Sequence, residues 1–186
     1  MPIGFRKSFK KVSGVGDCLE IALQKPFDAF EQALTWSDYK KAKTIKYYVV
    51  ITPNGLFMYC SAGYGGRATD EMIVSHCGFL DLLKRGMAIM LDRGFKKVQS
   101  VVLEKGCEVV RPPSVSEGKQ LSKEQVFSGR KIAGVRIHVE RAIRRIREFK
   151  FLAPHACIHN SLVSCADDAI FLVCGLINMQ SCLTKC

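Results

Sequence analysis

Apolar residues recur along this chain with two periods, and the switches between them lay out the elements. Residues 11–16 read as a short strand leading to Asp17, and 27–34 carry a weak helical pattern. Residues 44–52 (TIKYYVVIT) are dense in β-branched and aromatic side chains. Pro53-Asn54-Gly55 is a turn, and 56–61 return as the second strand of a hairpin. Residues 63–67 read as a flexible loop, after which Thr69-Asp70 opens a helix running to about Leu83. Residues 87–91 form a buried strand terminated by Asp92. A helix follows at 98–104 with Gly106 as its stop, then a short strand at 107–110. From Ser122 the period changes. Ser122 and Gln125 have capping-box spacing, and Ile132, Val135, Val139, Ile143, Ile146 and Phe149 recur at threes and fours as one buried stripe of a long helix.

Between these elements, Pro112-Pro113 to Lys119 is a polar, turn-rich loop. The one long apolar stretch, 158–183, is interrupted by Asp167, Asp168 and Asn178, which argues for a buried C-terminal helix rather than a membrane span. Strands followed by alternating helices and strands describe an α/β protein, a mixed sheet flanked by helices with a long C-terminal helical region. A ribonuclease-H-like architecture satisfies that order, as do other α/β sandwiches.

Length adds that 186 residues fill one core, so 1–186 is read as a single domain with 1–10 as a poorly ordered basic leader. No apolar run follows that leader, so it does not read as a secretory signal, and an intracellular protein is expected. The nine cysteines are scattered among apolar neighbours as reduced core residues. No CxxC pair is present. His155, Cys157 and His159 are the one cluster to weigh for zinc, and the same alternation equally fits one face of an extended segment.

Charge changes the picture more. A net +11 points to a polyanionic partner. Residues 130–150 carry Arg130, Lys131, Arg136, Arg141, Arg144, Arg145, Arg147 and Lys150 against Glu140 and Glu148, which reads as a phosphate-tracking helix face. Within this basic chain, Asp17 and Asp92 sit at expected strand ends, and Glu140 lies on the long helix with Arg136 and Arg144 one turn to either side. Phosphodiester hydrolysis needs an activated water and a neutralised leaving oxygen, and divalent cations held by carboxylates supply both. Spacing alone leaves these acids equally readable as caps and ion-pair partners.

Longer words carry a resemblance. They are DCLEI (17–21), TWSDYKKAKTIKY (35–47), TPNG (52–55), GYGGRATD (63–70), DRGF (92–95), RPPSV (111–115) and RIHVERAIRRIREFKFLAPHACIHN (136–160). Through them the chain resembles the DDE-superfamily endonuclease domain of Harbinger-type (PIF/Harbinger) transposases, over nearly its whole length. The resemblance implies a catalytic, metal-holding triad of Asp17 (DCLE), Asp92 (DRGF) and Glu140 (HVER). It also implies a divalent cation, magnesium or alternatively manganese, and double-stranded DNA at transposon ends as substrate. Glu20 and Asp70 fall inside the same words and are assigned supporting roles; Lys40, Arg136, Arg141 and Arg144 are the candidate DNA contacts. A Myb-like DNA-binding partner, self-association and a nuclear location follow from the same resemblance, and no membrane role does. Two departures stand out: Gly14 and Gly16 interrupt the strand before Asp17, and no helix-turn-helix precedes the catalytic words. They keep open a second reading, a domesticated or decayed copy that binds DNA or protein without cutting.

Overall fold

The strand that starts at Val12 does not stop at Asp17. β1 spans Val12–Leu23 in the computed structural model, which describes residues 2–113 and 120–181; most of the expected loop at 112–119 therefore lies outside the described residues. Alternation explains its length, since Val15, Leu19, Ile21 and Leu23 all turn one way into the core. The glycines that were expected to weaken this strand instead let its neighbour close in. β3 (Ala42–Ile51) pairs antiparallel with β1 from Val15↔Ile51 to Ala22↔Thr44. A Cβ at Gly14 would lie 2.8 Å from Val50 Cγ1, and one at Gly16 would run into the Tyr48 hydroxyl.

The outer edge of β3 takes β2 (Trp36–Ser37), β4 (Phe57–Cys60) and β5 (Tyr64–Gly65), all antiparallel. Residues 63–67, expected as a loop, thus contribute a strand, because Ile45 and Lys46 of β3 offer an open edge to Tyr64 and Gly65. On the other edge of β1, β6 (Ala88–Met90) pairs parallel with Val12 to Val15, and β8 (Cys157–Ile158) pairs parallel with Ala22 and Leu23. β7 (Glu108–Val110) extends the sheet parallel to β6. The path β2–β3–β1–β6–β7, with β4 and β5 added on β3 and β8 on β1, is a curled mixed sheet, and with helices on both faces it fits the ribonuclease-H-like arrangement expected from the sequence.

One face is covered by α1 (Ile3–Ser8), α5 (Lys123–Ile146) and α6 (Ala166–Asn178). The other carries α3 (Asp70–His76), a 3-10 turn at Phe79–Leu82 and α4 (Val98–Glu104), packed around Tyr48 and Phe95. α2 (Ala29–Thr35) lies at the sheet margin, capped by Asp28. The predicted caps form as chemistry: Thr69 accepts from Met72 N, and Ser122 and Gln125 exchange both bonds of a capping box. The helix expected to reach Leu83 breaks early, because Gly78 turns left-handed at φ +80°.

Two further expectations are corrected. The basic leader is folded, with Phe5 fully buried and its ring 5.9 Å from that of His138 on α5. The C-terminal region is only half buried: Ile170, Val173, Cys174 and Ile177 face the core, while Phe171, Leu172, Leu176 and Met179 face outward. The stretch Asn160–Asn178 is long and apolar enough to cross a membrane by composition, yet its inner side is a wall of this core.

Candidate active site

Register brings the first two acids together. Val15 of β1 pairs with Met90 of β6, so two residues further along each strand place Asp17 and Asp92 side by side on the face turned to α5. β6 has ended by then and β8 has not begun, so Asp17 stands mid-strand in a gap along the edge of β1 rather than at a strand tip as expected. Asp92 lies just past the carboxyl end of a parallel strand, where functional groups of such sheets collect.

Across this gap runs α5. Val135 and Val139 bury its stripe, and the position between them on the neighbouring side sends Arg136 to both acids. Its Nη1 donates to Asp92 Oδ1 at 2.8 Å and its Nη2 to Asp17 Oδ2 at 3.4 Å. Backbone N–H groups complete the cradle, Cys18 N to Asp17 Oδ1 at 2.9 Å and Arg93 N to Asp92 Oδ1 at 2.7 Å. The sequence had marked Arg136 as a phosphate contact; the structure makes it the cation between the two aspartates.

Glu140 does not join them. It is exposed one turn further along α5, in a cleft of about 410 Å³ with Arg144, Arg147, Glu148 and Pro154. Among the described residues it makes no ion pair, and no three His, Cys, Asp or Glu side chains stand close enough to hold a metal together. The donor set at Asp17 and Asp92 nonetheless suits a hard divalent cation, since it consists of oxygens alone and a guanidinium already sits where positive charge is favoured.

The other expected residues brace the surroundings. Glu20 accepts from Thr44 Oγ1 at 2.6 Å and shares a cleft of about 230 Å³ with Lys40 and Arg147. Asp70 opens α3 and pairs with Lys46 Nζ at 3.4 Å; that ammonium, which the sequence reading missed, also donates to Ala68 O at 3.0 Å. Burial, with the Asp70 and Asp17 carboxylates beside it, pushes the Cys18 thiol up and keeps it protonated. Arg141 and Arg144 are exposed and form no ion pair among the described residues. Trp36 and Tyr39 are engaged locally: the indole donates to Asp38 at 3.0 Å, and Tyr39 lies 5.2 Å from Lys40 Nζ. His159 is tied to Ser161 at 2.8 Å and caps the turn Asn160–Cys165.

Burial raises the Asp17 carboxyl to about 6 from an ordinary 3.8, against the pull of Arg136 and the Cys18 N–H and with help from Asp92 and Asp70. A carboxyl raised on folding adds stability that is full below 3.8 and is lost as pH rises through about 6. In the metal-free protein, the stability gap between wild type and Asp17→Asn is therefore expected to swing toward the variant from pH 4 to pH 8, by on the order of 2 kcal/mol. Urea titrations of both proteins across that range check it; parallel pH profiles would contradict the assignment.

Over residues 16–178 the chain matches the family described as DDE superfamily endonuclease. No curated protein and no solved structure matches it.

Proposed function

Because this chain belongs to the DDE superfamily endonuclease family, we propose that it is the catalytic domain of a Harbinger-type transposase. In this reading it cuts double-stranded DNA at transposon ends with a divalent cation, magnesium or manganese. Asp17 and Asp92 would hold the cation, and Glu140, one turn along α5 from Arg136, would be the third ligand. The observation that supports this most is the convergence of two distant family acids on one positive group. When bound, the cation supplies an activated water and neutralises the leaving oxygen. The chain's own residues position everything else. Cys18 N and Arg93 N orient the two carboxylates, Glu20 and Asp70 tie β1 and α3 to β3, and Lys40, Arg141 and Arg144 are the phosphate contacts. A nuclear location, a Myb-like DNA-binding partner and self-association belong to the same proposal.

Incubation with end-bearing duplex and magnesium is expected to give strand cleavage that a chelator abolishes. Cleavage that persists under chelation would refute the reading.

One observation favours a second reading, a domesticated or decayed copy: Arg136 fills the space between the acids while Glu140 faces solvent. It predicts DNA binding that falls steeply between about 50 and 200 mM salt, with no metal-dependent cutting at any salt concentration. Metal-dependent turnover eliminates it.

A further inference from the structure

We propose that Arg136 is a built-in counter-cation that competes with the divalent ion for Asp17 and Asp92, so that metal loading and release of this guanidinium are one event. The inference rests on the reading of those two acids as metal ligands. Three observations carry it.

The first is position. Arg136 is 11% exposed and spends one N–H on each acid, Nη1 on Asp92 and Nη2 on Asp17. A divalent ion sharing those carboxylates would lie within a few ångströms of the guanidinium, where like charges in a half-buried site repel strongly. The two cations therefore compete for the negative charge of the same pair of carboxylates.

The second is incompleteness. Arg136 Nε is buried and has no hydrogen-bond partner among the described residues. Leaving a buried donor of a charged group unmade is costly. This guanidinium is held by the charge of the acids in an arrangement that is not its best. A competitor for those acids therefore displaces it more easily than it would a fully bonded arginine.

The third is an exit. Asp92 is 47% exposed against 24% for Asp17, so the site opens on the Asp92 side, and a long flexible stem lets the head group swing that way. Removing Arg136 leaves two neighbouring carboxylates without their counter-charge, which favours any cation that replaces it.

The test needs neither DNA nor turnover. Manganese binding is measured by calorimetry and by the loss of the free-ion EPR signal for wild type, Arg136→Gln, Arg136→Lys and Asp92→Asn, with circular dichroism to check folding. Arg136→Gln is expected to bind manganese at least about tenfold more tightly than wild type. Arg136→Lys, whose single ammonium does not bridge both acids as a fork does, is expected to fall between them, and Asp92→Asn to lose the site. Should Arg136→Gln not fold, the gain in Arg136→Lys over wild type carries the comparison. Equal affinity in wild type and the Arg136 variants, with binding lost in Asp92→Asn, overturns the competition and leaves the metal reading standing. Absence of manganese binding in the folded Arg136 variants, or binding unchanged in Asp92→Asn, overturns both.

Discussion

Asp17→Asn and Asp92→Asn are each expected to slow metal-dependent strand cleavage by about a thousandfold or more, equivalent to ~4 kcal/mol of transition-state stabilisation. Asparagine keeps the size of the side chain and an oxygen for the Cys18 or Arg93 N–H. It removes the charge that would hold a cation and that pairs with Arg136, so a rate lost in a variant that still folds reports on the site. Single-turnover rates on an end-bearing duplex, with circular dichroism as a folding check, give the answer. Glu140→Gln is the informative companion. As a third ligand Glu140 shares the loss, whereas as a solvated helix residue it leaves the rate untouched. Equal rates in wild type and both aspartate variants would remove the site altogether.

The largest effect on stability is expected at Gly16, the residue before the first acid. Its missing side chain is the space into which the Tyr48 ring lies, and an added Cβ would also come within 3.0 Å of Leu91 Cδ2. Tyr48 and Leu91 are both fully enclosed, so neither has room to retreat. Gly16→Val is expected to cost about 3 kcal/mol by overpacking, with Gly16→Ala costing less. Denaturant titrations check this, and a loss under about 0.5 kcal/mol would mean that Tyr48 moves aside. The Tyr48 hydroxyl has no partner among the described residues, so Tyr48→Phe removes the nearer clashing atom without breaking a bond and leaves Cζ at 2.7 Å. A double-mutant cycle of Gly16→Ala with Tyr48→Phe is therefore expected to show a favourable coupling. Because Gly16 sets the backbone beside Asp17, the same substitution displaces the acid.

Local chemistry is what the sequence displays most openly. The hairpin around Gly55, the caps at Thr69 and Ser122, and the stripe of α5 depend on neighbours within a few residues, and they are where the pattern placed them. β1 was foreshortened because the apolar pattern breaks after Asp17, whereas the pairing with β3 that carries the strand onward involves residues far along the chain. α1 was missed because a six-residue basic segment carries a single apolar anchor, Phe5, and its receiving surface lies on α5. The outer apolar face of α6 was invisible for the opposite reason, since unbroken hydrophobicity gives no sign of which side is covered.

At the site, the two aspartates were legible from the motif words, but what stands between them was not. The partners of Arg136 lie 119 and 44 residues away in the chain, and an arginine on a basic helix looks like every other one there. Only the register of β1 against β6, which sets the acids beneath that helix position, singles it out.

The most direct measurement is anomalous diffraction from crystals soaked in manganese. The account predicts a peak within about 2.5 Å of a carboxylate oxygen of both Asp17 and Asp92, with Glu140 turned in and the Arg136 guanidinium moved off the pair. Manganese found only elsewhere, with Arg136 still bridging the two aspartates, would contradict it.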